Sequence, residues 1–197
     1  FYFCLLMESI YVKKDVLSNE LCNLFIKNFK ESTDTIASNF TNKTDLTFDL
    51  NYLNHPKWSP LLHQLIPHIH NHLHNYINEN ITIIDHQNQK IIPILNPDSV
   101  ISMSPTFNMQ YYKKGEAFHQ WHAERMKPID NNRVLVWMVY LNDVTDQGGT
   151  EFYHQKHTER AEQGKIVLFS SDWMHTHRGI PSPTQEKFIL TGWLGWY

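Results

Sequence analysis

Residues 120–124, Gln-Trp-His-Ala-Glu, set a histidine and a glutamate one residue apart. On a strand, alternate side chains share a face. His122 and Glu124 would then point the same way, together with Phe118 and Gln120. An imidazole nitrogen beside a carboxylate oxygen supplies two parts of the three-ligand set that holds non-haem iron with open positions. Such a pair is frequent by chance, so a third ligand has to come from elsewhere. His175 and His177, again one residue apart, are the candidates. Ten residues after His177, Lys187 opens an alternating strand in which Lys187, Ile189, Thr191 and Trp193 share a face. On a core strand that lysine needs an anionic partner, because burying a lone ammonium is costly. A dicarboxylate would provide one, whereas at a solvent-facing strand start none is needed.

The elements that must position these groups fall into two halves. Residues 9–30 read as a strand followed by a helix, with Ser18 as cap and Leu21, Leu24, Phe25 and Phe29 as its apolar stripe. Residues 31–57 are polar and turn-rich, with one short strand expected at 46–50. A second helix is expected from Ser59 and Pro60, with Ser59 as cap and Pro67 kinking it or resetting its start. Its histidines, His63, His68, His70, His72 and His74, lie largely opposite the apolar face and read as a solvated surface. After residue 81 the period becomes two. Strands are expected at 81–85, 91–95, 99–103, 107–113, 118–124, 133–141, 149–153, 165–170 and 187–194. The run 133–141 is apolar on both faces and should lie centrally. The chain therefore reads as mostly β, a β-sandwich or jelly roll backed by N-terminal helices. Residues 1–197 would form one domain, 1–80 mainly helical support and 81–197 the jelly-roll core.

Composition narrows the function. The chain has 197 residues, 41% of them hydrophobic, and a formal net charge of −3. No basic tail or stripe suggests a nucleic-acid partner. No glycine-rich phosphate loop opens a helix after a strand. Cys4 and Cys22 are too few for a disulfide framework and point to a reducing, cytoplasmic setting. The apolar opening, Phe-Tyr-Phe-Cys-Leu-Leu-Met, is too short for a membrane span and reads as a terminal strand.

The second half resembles the iron(II)- and 2-oxoglutarate-dependent dioxygenases, in particular their prolyl 4-hydroxylase-like branch. That family's pattern is H-x-D, a distal histidine, a glycine two further on, and a basic residue ten after that histidine. Here it reads His122-Ala123-Glu124, His177, Gly179 and Lys187, with Trp193 six further on. The stretches 111–118 and 148–152 are similar to the family's lead-in to the first ligand and to its glycine-rich segment. Residues 107–196 carry the clear match and a looser one reaches residue 9. The resemblance implies a double-stranded β-helix, iron(II) on His122, Glu124 and His177, and 2-oxoglutarate paired with Lys187. Tyr112 or Thr191 would assist. Dioxygen would be consumed, 2-oxoglutarate converted to succinate and carbon dioxide, and an aliphatic carbon of a protein, peptide or small molecule hydroxylated. Glutamate at 124, where the family has aspartate, adds a methylene and must fold back to reach the same coordination position.

The remaining residues leave alternatives open. His175 could replace His177, orient it, or touch substrate. Gln120 or Asn142 could orient a ligand imidazole. Arg178 suits an anionic substrate or a surface ion pair, and Arg125 could line a substrate entrance. Trp121, of opposite parity to His122, reads as core, as do Trp137, Phe169 and Trp193. His119 reads as incidental. A cupin-like lyase or isomerase without 2-oxoglutarate, a jelly roll without chemistry, and a homodimer are further readings.

Overall fold

The computed structural model describes residues 9–38, 43–81, 83–84, 87, 90–91 and 101–197. The N-terminal half starts with β1 (Tyr11–Lys13) and α1 (Asn19–Lys30). Ser18 caps α1 as expected, its Oγ accepting from Leu21 N at 3.2 Å. Glu20 in the first turn and Lys27 and Lys30 in the last complement the helix dipole. Leu21, Cys22, Phe25 and Phe29 are buried. β2 (Ile36–Ser38), β3 (Lys43–Phe48) and a 3-10 turn at Leu50–Asn54 follow. The polar stretch thus holds two strands rather than one, and residues 50–54 are helical.

α2 (Ser59–Tyr76) buries Leu61, Leu62, Leu65, Ile69, Leu73 and Tyr76. Two expectations are corrected here. Trp58, with no side-chain cap bond, is the N-cap, and Ser59 is already helical. The helix also runs on through Pro67. His63, His68, His70 and His74 are exposed, whereas His72 is half-buried with Nδ1 2.7 Å from the Tyr11 hydroxyl.

The C-terminal half contributes β4 (Ile83–Ile84), β5 (Lys90–Ile91), β6 (Ser102–Tyr112), β7 (Arg133–Tyr140), β8 (Thr150–Phe152), β9 (His157–Glu159), β10 (Ile166–Ser170), β11 (His177–Gly179) and β12 (Lys187–Gly195). β9 and β11 were not expected, and β6 joins two expected strands into one. The expected terminal strand at 1–8, most of that at 91–95 and the first two residues of that at 99–103 lie outside the described residues. The main sheet is antiparallel in the order β1-β10-β7-β12-β6-β3-β2, and a small sheet has the order β11-β8-β9. Three strands of the N-terminal half are thus built into the main sheet.

Parity on β7 divides the interior. Leu135, Trp137 and Val139 pack towards the helices with Phe25, Leu62 and Phe48. Val136, Met138 and Tyr140 pack towards the small sheet with Phe152, Phe169 and Ile189. This is a double-stranded β-helix backed by helices. Burial on both faces explains why 133–141 is continuously apolar.

The expected strand at 118–124 does not form. Phe118 O accepts from Gly179 N at 2.7 Å, and His122 exchanges two backbone hydrogen bonds with His177, at 3.0 and 2.8 Å. The chain takes four steps from Phe118 to His122 where β11 takes two, so residues 119–121 bulge out and strict alternation fails.

Phe25 is fully buried and meets the Trp58 ring at 6.1 Å beneath the sheet. Phe25→Ala should cost about 3–5 kcal/mol, read as a lower denaturation midpoint at unchanged m-value.

Candidate metal centre

The backbone bridge between His122 and His177 puts their ring centroids 4.3 Å apart. Each Nδ1 lies 2.9 Å from a backbone carbonyl two residues upstream, Gln120 O for His122 and His175 O for His177. A carbonyl can only accept, so each Nδ1 carries the proton and each Nε2 keeps its lone pair. The two Nε2 atoms lie 3.5 and 3.6 Å from Glu124 Oε1. One ligand atom from each of the three residues falls within 4.8 Å of the others, the sole such group among the described residues.

Protonation states suit a cation. Burial pushes the His177 imidazole down to about 4, and the neighbouring His122 charge adds to this. Burial opposes ionisation of Glu124, but the two imidazoles beside it and the Trp193 indole N–H outweigh it and hold the carboxyl at about 2. A neutral imidazole and a carboxylate are the forms that coordinate.

Glu124 is held by residues that sequence reasoning placed elsewhere. Trp193 Nε1 donates to Glu124 Oε2 at 3.0 Å, while Arg133 donates to Glu124 O at 2.9 Å and stacks on the Trp193 ring at 3.7 Å. Trp193 is therefore more than packing, and Arg133 was not singled out at all. The cause is local: β12 steps from Gly192 to Leu194 while β6 steps from Phe107 to Met103. Pro105 sits inside that irregularity and cannot donate to the ladder. With Oε2 fixed by the indole, the longer glutamate turns Oε1 towards both imidazoles.

Lys187 lies in the same cavity, a space of about 210 Å³ that Tyr112, His122, Glu124, His177, Lys187 and Thr191 help to line. It is 5% exposed, and its Nζ donates to Gly148 O at 2.8 Å and stands 5.0 Å from the Tyr112 ring centroid. No carboxylate pairs with it among the described residues. Burial pushes its ammonium down to about 8. Of the two readings left open for Lys187, the structure shows the core one, a buried lysine with no carboxylate partner among the described residues. Tyr112, raised by burial, donates to Gln110 Oε1 at 2.7 Å, and Thr191 to Trp137 O at 3.2 Å.

The other candidates are distributed as follows. His175 is buried apart from the three-residue group, with Nε2 2.9 Å from Ser9 Oγ, and steadies His177 through its carbonyl. Gln120 likewise acts through its backbone. Asn142 touches neither imidazole; it accepts from Phe188 N and donates to Glu186 O, pinning β12 on both sides of Lys187. Arg178 is ion-paired with Glu151 at 2.7 Å on the outer face of the small sheet. Arg125 is exposed. Trp121 is 39% exposed, packed on Tyr153 and under the Arg178 guanidinium, because it sits in the bulge; the core assignment is corrected.

The mostly-β, helix-backed fold thus brings two imidazoles and a carboxylate together as a group that could hold a metal ion. Residues 107–195 match the model of the 2OG-Fe(II) oxygenase superfamily. The chain's fold is similar to that of a viral collagen prolyl hydroxylase from Paramecium Bursaria Chlorella virus-1 in its 2OG complex (TM-score 0.67, 16% identity, 96% of this chain and 97% of that one). It is also similar to a Pseudomonas putida prolyl-4-hydroxylase (0.65, 16%, 100% of both chains). A third likeness is to a Trichoplax adhaerens prolyl hydroxylase in complex with a hypoxia inducible factor oxygen degradation domain peptide fragment (0.64, 11%, 96% and 84%). Among curated protein sequences none matches the chain. No helix among the described residues is long and apolar enough to cross a membrane.

Trp193→Phe removes the indole donor and keeps the ring. It should weaken iron(II) affinity roughly 10–100-fold, read by anaerobic metal titration, with an unchanged unfolding midpoint in the metal-free protein.

Proposed function

We propose that this chain hydroxylates an aliphatic carbon of a protein, peptide or small-molecule substrate, using His122, Glu124 and His177 to hold iron(II) and Lys187 to hold 2-oxoglutarate. The observation that carries this reading is the pairing, within one cavity, of a three-atom ligand group with a buried ammonium that lacks a protein counter-ion. Bound iron and keto acid together would supply dioxygen activation, with 2-oxoglutarate leaving as succinate and carbon dioxide. The residues contribute placement. The backbone bridge fixes both imidazoles, and Trp193 and Arg133 aim the carboxylate. Lys187 would grip the far carboxylate of the diacid, with Tyr112 and Thr191 on the same wall, and Ile189, Met138 and Phe118 would limit water around the reacting carbon.

The fold is similar to those of prolyl hydroxylases, and the peptide bound to the Trichoplax protein supports a peptide-sized substrate among the options. We read residues 1–197 as a single domain, since one apolar layer joins α1 and α2 to strands of both halves. The buried, free Cys22 fits a reducing compartment such as the cytoplasm. The chain itself supplies every residue this reading uses, so neither a homodimer nor nucleic acid is required.

Two outcomes check the reading. Dioxygen added to the iron-loaded protein with 2-oxoglutarate should yield succinate, and His177→Ala should reduce this to the rate of free iron; equal succinate from both proteins would contradict it. The second concerns pH. The far carboxylate needs a protonated Lys187, and burial has lowered that ammonium to about 8. Affinity for 2-oxoglutarate should therefore be highest below pH 8 and fall as pH rises through it. Lys187→Arg should flatten that fall, and Lys187→Met should raise the 2-oxoglutarate requirement about tenfold or more with iron affinity spared. Parallel loss of iron affinity would show that Lys187 acts elsewhere.

A further inference from the structure

Lys187 is aimed by a backbone atom. Its ammonium is a compact charge with three donors on a flexible four-carbon stem. Among the described residues one donor is used, on Gly148 O at 2.8 Å, which leaves two for a ligand. Where Gly148 O stands therefore sets where the ammonium stands. Gly148 belongs to the turn between β7 and β8, and that turn is strained. Gln147 has φ 64° and Gly148 φ 74°, so two successive residues are left-handed and the first is not a glycine. A methyl group at 148 would run into the buried Val144 side chain. Strain of this kind persists only where the surroundings impose it.

Here the surroundings are one side chain from the segment before β12. The turn has two backbone anchors: Val144 N donates to Ala161 O at 3.0 Å, and Gly149 O accepts from Ile180 N at 2.9 Å. Between them, the Gln185 amide oxygen takes the place of a ladder. Its Oε1 accepts from Thr145 N at 2.7 Å, from Asp146 N at 3.0 Å and from the Thr145 hydroxyl at 3.1 Å. The Thr184 hydroxyl adds a bond to Asp146 Oδ2 at 2.8 Å. Gln185 is itself set by its N–H, which donates to Oγ of the buried Ser182 at 3.1 Å. The start of β12 is held independently, by Phe188 N on Asn142 Oδ1 at 2.8 Å, so the bonds to Gln185 shape the turn rather than the strand. Gln185 does not line the cavity, and its route to a ligand there runs through Gly148 O and the Lys187 ammonium.

We propose that Gln185 is a positioning residue for the co-substrate. It holds the 145–148 turn so that Gly148 O keeps the Lys187 ammonium facing the cavity, and it thereby sets the affinity for the far carboxylate of the keto diacid. This rests on the oxygenase reading above and adds to it a residue that touches neither metal nor ligand. One short segment then carries both the ammonium, at 187, and the acceptor that shapes its seat, at 185.

The test uses the anaerobic protein loaded with iron(II), titrated with 2-oxoglutarate and followed by charge-transfer absorption. Gln185→Ala should weaken 2-oxoglutarate roughly 3–10-fold and leave iron(II) affinity, measured without the keto acid, within about twofold. Gln185→Glu keeps an oxygen acceptor for the same N–H groups and should stay within about twofold of the unmodified protein. In a Lys187→Met background Gln185→Ala should have no further effect, because its action passes through the ammonium. The proposal is overturned if Gln185→Ala binds 2-oxoglutarate as well as the unmodified protein, if Gln185→Glu is as weak as Gln185→Ala, or if Gln185→Ala costs the same factor with and without Lys187. Failure of the unmodified protein to bind 2-oxoglutarate at all would instead remove the oxygenase reading itself.

Discussion

Two backbone hydrogen bonds between His122 and His177 hold the site together. They join a segment that is otherwise irregular to the edge of the small sheet, and they bring two residues 55 positions apart in the chain to ring contact. The polar surroundings of the three-residue group follow from that bridge. Each imidazole is then clamped by a carbonyl two residues upstream, and Glu124, two residues beyond the bridge, is carried in beneath both rings. A bridge of this kind positions ligands without a strand, which leaves the segment free to bulge outward at residues 119–121.

The main sheet provides the other half of the site. β12 carries Lys187 at one end and Trp193 near the other, on one face, so a single strand presents both the ammonium and the indole that aims Glu124. Its start is pinned by Asn142 and its middle is flanked by β6 and β7. Burial on both sides makes that strand rigid, and rigidity is what a ligand set needs if open positions are to stay open. The helices act at one remove: α1 and α2 cover the face of the main sheet opposite the site.

Much of this was legible in the sequence, and the misses have physical causes. α1 with its Ser18 cap, the doubly buried β7, and β12 follow from period and composition, whereas the direction of Lys187 was left open. The ordered series His122, Glu124, His177, Lys187 was legible through the family resemblance rather than through period, and the structure gathers it into one cavity. Strand parity failed at 118–124, because alternation holds only where a ladder is continuous. That failure misplaced Trp121, which lies exposed in the bulge. Trp193 was read as packing because an indole in an apolar strand usually is; its donor role depends on the irregularity around Pro105. Arg133 carries no spacing signal relative to Glu124. β3 was shifted because only Leu46 and Phe48 of its six residues are buried and its first three, Lys43, Thr44 and Asp45, are polar, which leaves the alternation that marks a strand too short to read.

The central claim is that three side chains and one ammonium form a joint seat for iron(II) and a keto diacid. Anaerobic titration of the metal-free protein with iron(II), in the presence and absence of 2-oxoglutarate, tests it most directly by visible absorption. A metal-to-ligand charge-transfer band that appears only when both are present, and saturates at one iron per chain, is the predicted result. Stoichiometric iron binding with no band at saturating 2-oxoglutarate would contradict the account.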